Sequence, residues 1–243
     1  MIKKEDILVP LDWRSSLLDM IYGEIFDKEQ YVKYFDFKED DVVVDLGANI
    51  GLFSLFALDR QPNIKKIYMV EPLLQNFDYM VRNVIYNKKE DLHKFIFIKS
   101  AVSENGEATI GGDIGASLGE GDEIVKTFSF MDFIDFYGIN KIDFLKIDIE
   151  GSEKKMFTEE VFNYLNDNNV NRICGELHPI HFSGEKSFSI LKRLMDMGYD
   201  VKIESINEFD IKNTLMNNSL VNGTEIKSWD YYTQYLFWAN KED

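Results

Sequence analysis

Cysteine is nearly absent from this 243-residue chain: Cys174 stands alone, so no intramolecular disulfide can staple the fold. The opening residues Met1-Ile2-Lys3-Lys4-Glu5-Asp6 lack the apolar stretch of a secretory signal, and with the lone thiol they point to the cytoplasm. No apolar run approaches the roughly 20 residues of a membrane-spanning helix, because charges interrupt each one. Positive charge is scarce too. The 27 Lys and Arg against 43 Asp and Glu give a formal charge of −16, which repels a phosphate backbone and argues against nucleic acid as a partner. The densest basic groups are only the pairs Lys65-Lys66 and Lys88-Lys89, at expected element ends. What is present is 45% apolar content, enough for one substantial core at this length.

The segment from Trp13 to Phe37 carries Leu17, Leu18, Ile21, Ile25 and Phe26 in a roughly helical rhythm, which predicts one or two helices ahead of the sheet. From Asp41 the pattern changes. Val42-Val43-Val44 is a β-branched run too short for a helix, and it feeds a glycine-bearing turn. Further strands are expected near Lys66–Val70, Phe95–Lys99, Asp143–Asp148 and Arg172–Leu177, alternating with helices around Asn76–Tyr86, Glu153–Leu165 and Ser187–Met197. Such alternation means a mostly parallel, doubly wound α/β sheet. The late runs Tyr199–Glu204 and Gln234–Ala239, joined by a stretch holding Asn213, Asn217, Asn218 and Asn222, are expected to pair as antiparallel edge strands. Six glycines between Ser103 and Gly121 predict a mobile surface loop. The chain thus divides into a helical extension, 1–40, and one compact unit, 41–243.

The turn after the first strand reads Asp45-Leu46-Gly47-Ala48-Asn49-Ile50-Gly51, and Glu71 follows Gly51 by 20 residues at the end of the second strand. Glycines let backbone approach a ligand, and a carboxylate at that distance can accept both hydroxyls of a ribose. A dinucleotide fingerprint would want glycine where Asn49 and Leu52 stand, so the grip on a pyrophosphate is missing. Asp45 would also repel a pyrophosphate but suits the ammonium of a methionine moiety. S-adenosylmethionine (SAM) fits this charge arrangement better than NAD.

Two polar clusters fall at predicted strand ends, where open α/β sheets bind ligands: Lys146-Ile147-Asp148-Ile149-Glu150-Gly151 and Glu176-Leu177-His178-Pro179. With these in view the chain resembles the FkbM family of SAM-dependent methyltransferases, through Val44–Gly51, Val70-Glu71-Pro72, Leu145–Glu153 and Glu176–Pro179. The resemblance implies a class I methyltransferase (Rossmann-like) fold with a seven-stranded sheet, and O-methylation of a small hydroxylated acceptor such as a sugar or secondary metabolite. It also implies that Asp45, Gly47, Asn49 and Gly51 surround the methionine moiety, that Glu71 holds the ribose and that Ala101 borders the adenine.

Methyl transfer from a sulfonium needs an aligned nucleophile and a group to take its proton. Asp148, at a strand end facing the donor, and His178, whose ordinary pKa suits neutral pH, are the candidates for that base. Glu176 shares a strand face with His178. Asp148, Glu150, Glu176 and His178 form an alternative, less favoured donor set for a divalent cation. Lys146, in an apolar strand, needs a carboxylate partner, with Glu176 as one choice. His181, Phe182 and Gly184 suggest a loop over the acceptor, and Trp13 or Trp229 could stack on a sugar. The competing readings are an NAD-linked oxidoreductase and a non-catalytic SAM-binding module.

Overall fold

The run Val42-Val43-Val44 opens the middle strand of a seven-stranded sheet. Its strands are β1 (Val42–Leu46), β2 (Lys66–Val70), β3 (Phe95–Ile98), β8 (Phe144–Ile147), β9 (Arg172–Leu177), β10 (Asp200–Ser205) and β11 (Tyr235–Asn240), in the order β10-β11-β9-β8-β1-β2-β3. β1 pairs in parallel with β2 and β8, β2 with β3, and β8 with β9. Buried on both faces, such strands read as unbroken apolar runs, which is why β1 was visible in the sequence. The computed structural model describes residues 2–13, 15–111, 117–119, 121–168, 170–178, 184–205 and 235–241.

Side chains alternate across the sheet, so neighbouring residues serve opposite cores. Val43 and Ile67 pack on one face beneath α2 (Leu52–Arg60) and α3 (Leu74–Asn87), with Met80 and Trp238. Val44 and Leu145 pack on the other, beneath α4 (Phe130–Tyr137), α6 (Glu159–Asp167) and α7 (Gly184–Asp196), with Phe133, Leu165 and Leu191. Burying side chains of this size stabilises by roughly 1.5–3 kcal/mol each before entropy is counted.

The class I methyltransferase architecture expected from the sequence is therefore present. The antiparallel pairing of the two late strands is also found, with a refinement: β11 is the reversed strand, and it inserts between β9 and β10. Asn213, Asn217, Asn218 and Asn222, between them, lie outside the described residues. The helix expected over Glu153–Leu165 is two helices, α5 (Glu153–Met156) and α6, because the Thr158 hydroxyl accepts from the Val161 N–H and starts a new helix.

The glycine-rich stretch is not simply a surface loop. β4 (Ala101–Val102), β5 (Gly106–Gly111), β6 (Ser117–Leu118) and β7 (Glu123–Phe128) form a second sheet in the order β4-β7-β5-β6. Glycine serves close approach here: a Cβ on Gly121 would lie 2.5 Å from the Gly111 Cα.

Ahead of the sheets, α1 (Ser15–Tyr22) runs into a π-helical turn, Gly23–Asp27. Leu17, Ile25 and Phe26 are buried as its helical rhythm predicts, and Tyr22 stacks on Phe26 at 4.5 Å. Ile2, Ile7, Tyr31, Val32 and Phe37 join the same apolar cluster as α2, and Trp238 Nε1 donates to the Gln30 carbonyl at 2.8 Å. Among the described residues, no helix is long and apolar enough to cross a membrane.

Candidate active site

Past β1 the chain turns at Gly47, whose φ is +77°. A Cβ there would sit 1.7 Å from the Asp148 carbonyl oxygen, so only glycine lets the ends of β1 and β8 lie this close. Asn49 also takes a left-handed conformation, φ +51°, which aims its backbone N–H at Glu71 Oε2, 2.8 Å away. The Leu73 N–H donates to Glu71 Oε1 at 3.0 Å. Glu71 is 5% exposed, and burial pushes its pKa up to about 7 although these N–H groups favour the ionised form. It faces a cleft of about 600 Å³ lined also by Pro72, Asn76, Ser100, Ala101 and Val102, with Ile110 and Leu118 of the small sheet as an apolar wall.

Behind the turn, Asp45 is fully buried. Its Oδ2 accepts from the Ser54 hydroxyl at 2.7 Å, and its Oδ1 lies 3.3 Å from Lys146 Nζ. Lys146 donates to the Gly47 carbonyl at 2.7 Å and sits 3.5 Å from Asp148 Oδ2. Burial alone would lower the pKa of this amine, but Asp45, Asp148 and Glu176 outweigh it and hold the ammonium charged. Lys146 thus ties the turn to both strand ends.

A second cleft, of about 900 Å³, lies on the other side of the turn, and Gly47, Asn49, Asp148 and Glu150 line both. The N-terminal segment supplies much of its wall, through Met20, Ile21, Glu24, Ile25, Gln30 and Tyr31. The Tyr31 hydroxyl donates to Glu176 Oε1 at 3.0 Å and lies 3.4 Å from Asp148 Oδ2. Burial raises the pKa of Glu150 to about 7 and that of Glu176 to about 8, with Asp148 adding to both. Glu150 holds a left-handed φ of +47°, a costly conformation for a non-glycine residue and a common mark of functional sites. His178 is 1% exposed; its Nδ1 donates to Glu153 Oε1 at 2.9 Å, and its Nε2 faces Glu150, Glu176 and Asp148. Burial opposes its protonation, yet Glu153, Glu150 and Asp148 prevail and raise its pKa to about 10.

Comparison with known proteins decides the family: the profile of the methyltransferase FkbM domain matches residues 45–201. The chain belongs to the FkbM methyltransferase family. Among curated proteins, no sequence matches this FkbM methyltransferase significantly. It is similar to the solved structure of an FkbM methyltransferase from Methylobacillus flagellatus, with TM-score 0.56 and 16% identity over 89% of this chain and 47% of that one. A precorrin-6y C5,15-methyltransferase from Geobacter metallireducens gives TM-score 0.51 and 12% identity, covering 98% and 95%. The METTL16 methyltransferase domain gives 0.50 and 12%, covering 98% and 74%. At these identities the structural likeness establishes the fold alone, and the chain spans about half the length of the M. flagellatus protein.

In this FkbM methyltransferase, Gly47, Asn49, Glu71, Ala101 and Asp148 gather on the first cleft. Asp45 and Gly51 do not line it. Asp45 braces Lys146 from behind the turn, and Gly51 caps α2 with its Cα turned toward Met69 and Met80 in the core. Lys146 pairs with Asp45 and Asp148 rather than with Glu176, the partner suggested by the sequence. Glu176 lines the second cleft, whereas His178 lies behind the carboxylates and lines neither. Trp13 is half-buried against the N-terminal core. His181, Phe182 and Trp229 lie outside the described residues. Tyr31, which donates to Glu176, and Glu153, which accepts from His178, were given no role by the sequence reading.

Proposed function

We propose that this FkbM methyltransferase uses SAM to methylate a hydroxyl of a small acceptor such as a sugar or secondary metabolite. The observation that carries this reading is the meeting of two clefts at Gly47, Asn49, Asp148 and Glu150. A donor and an acceptor held in separate pockets must touch at one point, and these residues mark it.

The first cleft fits SAM. Glu71 keeps oxygen lone pairs for two ribose hydroxyls beyond the two N–H groups it accepts, and Ala101, Val102, Ile110 and Leu118 offer an apolar slot for adenine. Gly47 and Asn49 present backbone to the methionine end. Bound there, SAM supplies a methyl group activated by a positively charged sulfur. The acceptor belongs in the second cleft, so the extension, 1–40, acts as its selector through Glu24 and Tyr31, and 41–243 carries the chemistry. Asp148 orients the acceptor hydroxyl. Glu150, poised near pH 7 and lining both clefts, takes its proton as the oxygen bonds to the methyl carbon and the carbon–sulfur bond breaks. His178, its Nδ1 held by Glu153, positions the carboxylates around it instead of acting as base. The lone, buried Cys174 supports a cytoplasmic setting.

The test is incubation with methyl-labelled SAM and separate panels of sugars, other small hydroxylated compounds and RNA. The reading expects an O-methyl product from the first two. Transfer to RNA alone, or SAM binding without transfer to any acceptor, would replace the acceptor class or the catalytic reading respectively.

A further inference from the structure

Two carboxylates of the second cleft, Asp148 and Glu176, are each held by one end. Asp148 Oδ2 faces Lys146 at 3.5 Å and the Tyr31 hydroxyl at 3.4 Å, while its Oδ1 turns toward His178 Nε2 at 3.8 Å. Glu176 Oε1 accepts from Tyr31 at 3.0 Å, while its Oε2 turns toward the same Nε2 at 3.7 Å. His178 Nδ1 donates to Glu153 Oε1 at 2.9 Å, and Glu153 is fully buried. Lys146, Tyr31 and Glu153 thus grip the far atoms of three side chains whose near atoms converge. One donor atom from each of Asp148, Glu176 and His178 lies within 4.8 Å of the others.

Two features separate this from an ordinary acidic cluster. One donor is an imidazole, 1% exposed, whose other nitrogen is fixed by a carboxylate outside the set, which is how proteins orient a metal-binding histidine. The spacing is the second. Separations of 3.7 and 3.8 Å exceed the roughly 2.7–2.9 Å of a charge-assisted hydrogen bond. They fall between the roughly 3 Å that separates neighbouring donors and the roughly 4 Å that separates opposed donors around a cation with bonds near 2.1 Å. Two carboxylates and one imidazole suit Mg²⁺ or Mn²⁺.

We propose that Asp148, Glu176 and His178 hold a divalent cation, Mn²⁺ or Mg²⁺, at the inner end of the acceptor cleft, where it would acidify the acceptor hydroxyl. The cation's catalytic use rests on the methyl-transfer reading; its binding does not, and it displaces the proton from His178 Nε2 to solvent. Glu150 Oε2, 3.3 Å from His178 Nε2, is left on the cleft side to receive the proton.

Mn²⁺ is titrated into chelator-stripped protein and followed by the loss of its free-ion paramagnetic resonance signal, with no SAM or acceptor present. The expected result is one Mn²⁺ per chain, displaced by Mg²⁺, with Glu153→Gln weakening it by 10–100-fold, the usual effect of removing an orienting partner. Glu176→Gln and His178→Ala should abolish it. Thermal melts establish that each variant is folded, and Glu176→Gln, at the cleft wall, keeps the test decisive should His178→Ala fail to fold. No bound Mn²⁺ in the wild type at millimolar metal, or unchanged affinity in folded Glu176→Gln, overturns the site. SAM titration of the metal-free protein reports separately on the donor cleft.

Discussion

Glu71 is 5% exposed and titrates near 7, against 4.5 for an ordinary glutamate. Burial is the main cause, and the Leu73 and Asn49 N–H groups only partly offset it. The gap corresponds to about 3 kcal/mol between the two protonation states. Because the folded value lies above the unfolded one, this stabilisation is fully present below pH 4.5 and is lost as pH rises through about 7. Glu71→Gln stays neutral throughout, and its amide NH₂ faces one backbone N–H at a cost that does not vary with pH. The stability difference between variant and wild type should therefore shift in the variant's favour by about 2–3 kcal/mol between pH 5 and pH 8. Guanidinium unfolding followed by circular dichroism at both pH values measures it, and the formal charge of −16 affects both proteins alike. A difference that does not change with pH would refute the reasoning.

Lys146→Met leaves Asp45 fully buried without its cation and should cost about 3–5 kcal/mol, much of it recovered by adding Asp45→Asn; additive losses in the double variant would contradict this. Tyr31→Phe removes a donor that favours ionised Glu176, so Glu176 should titrate above about 8 in carbon-13 resonance spectra, and an unmoved titration would count against the contact. Gly47→Ala forces a Cβ into the Asp148 carbonyl at a φ of +77° and should lower stability by more than about 2 kcal/mol; an unchanged melting temperature would show that the turn is looser than described.

What was legible in the sequence was contiguous. The strand at Val42-Val43-Val44, the turn at Gly47 and Glu71 at the second strand end are local patterns whose placement follows from sheet topology. Asp45 and Gly51 belong to the same string, yet they face inward, because adjacent residues of a strand or turn point to opposite sides. Tyr31 could not be found this way: it reaches Glu176 across 145 residues and lies outside the matched 45–201. Glu153 closed the Leu145–Glu153 motif and opened an expected helix, and its contact with His178 depends on where β9 ends, which the sequence does not show. In the 103–121 region glycine counts suggested a loop, while Ala108 and Ile110 alternate with exposed neighbours as a strand requires.

The central claim is that Gly47, Asn49 and Glu71 seat SAM. Isothermal titration calorimetry of the wild type and of Glu71→Gln, with SAM and with NAD, tests it most directly. The account predicts one SAM per wild-type chain, at least tenfold weaker binding in Glu71→Gln, and no heat from NAD. Saturable NAD binding, or SAM affinity indifferent to Glu71, would contradict it.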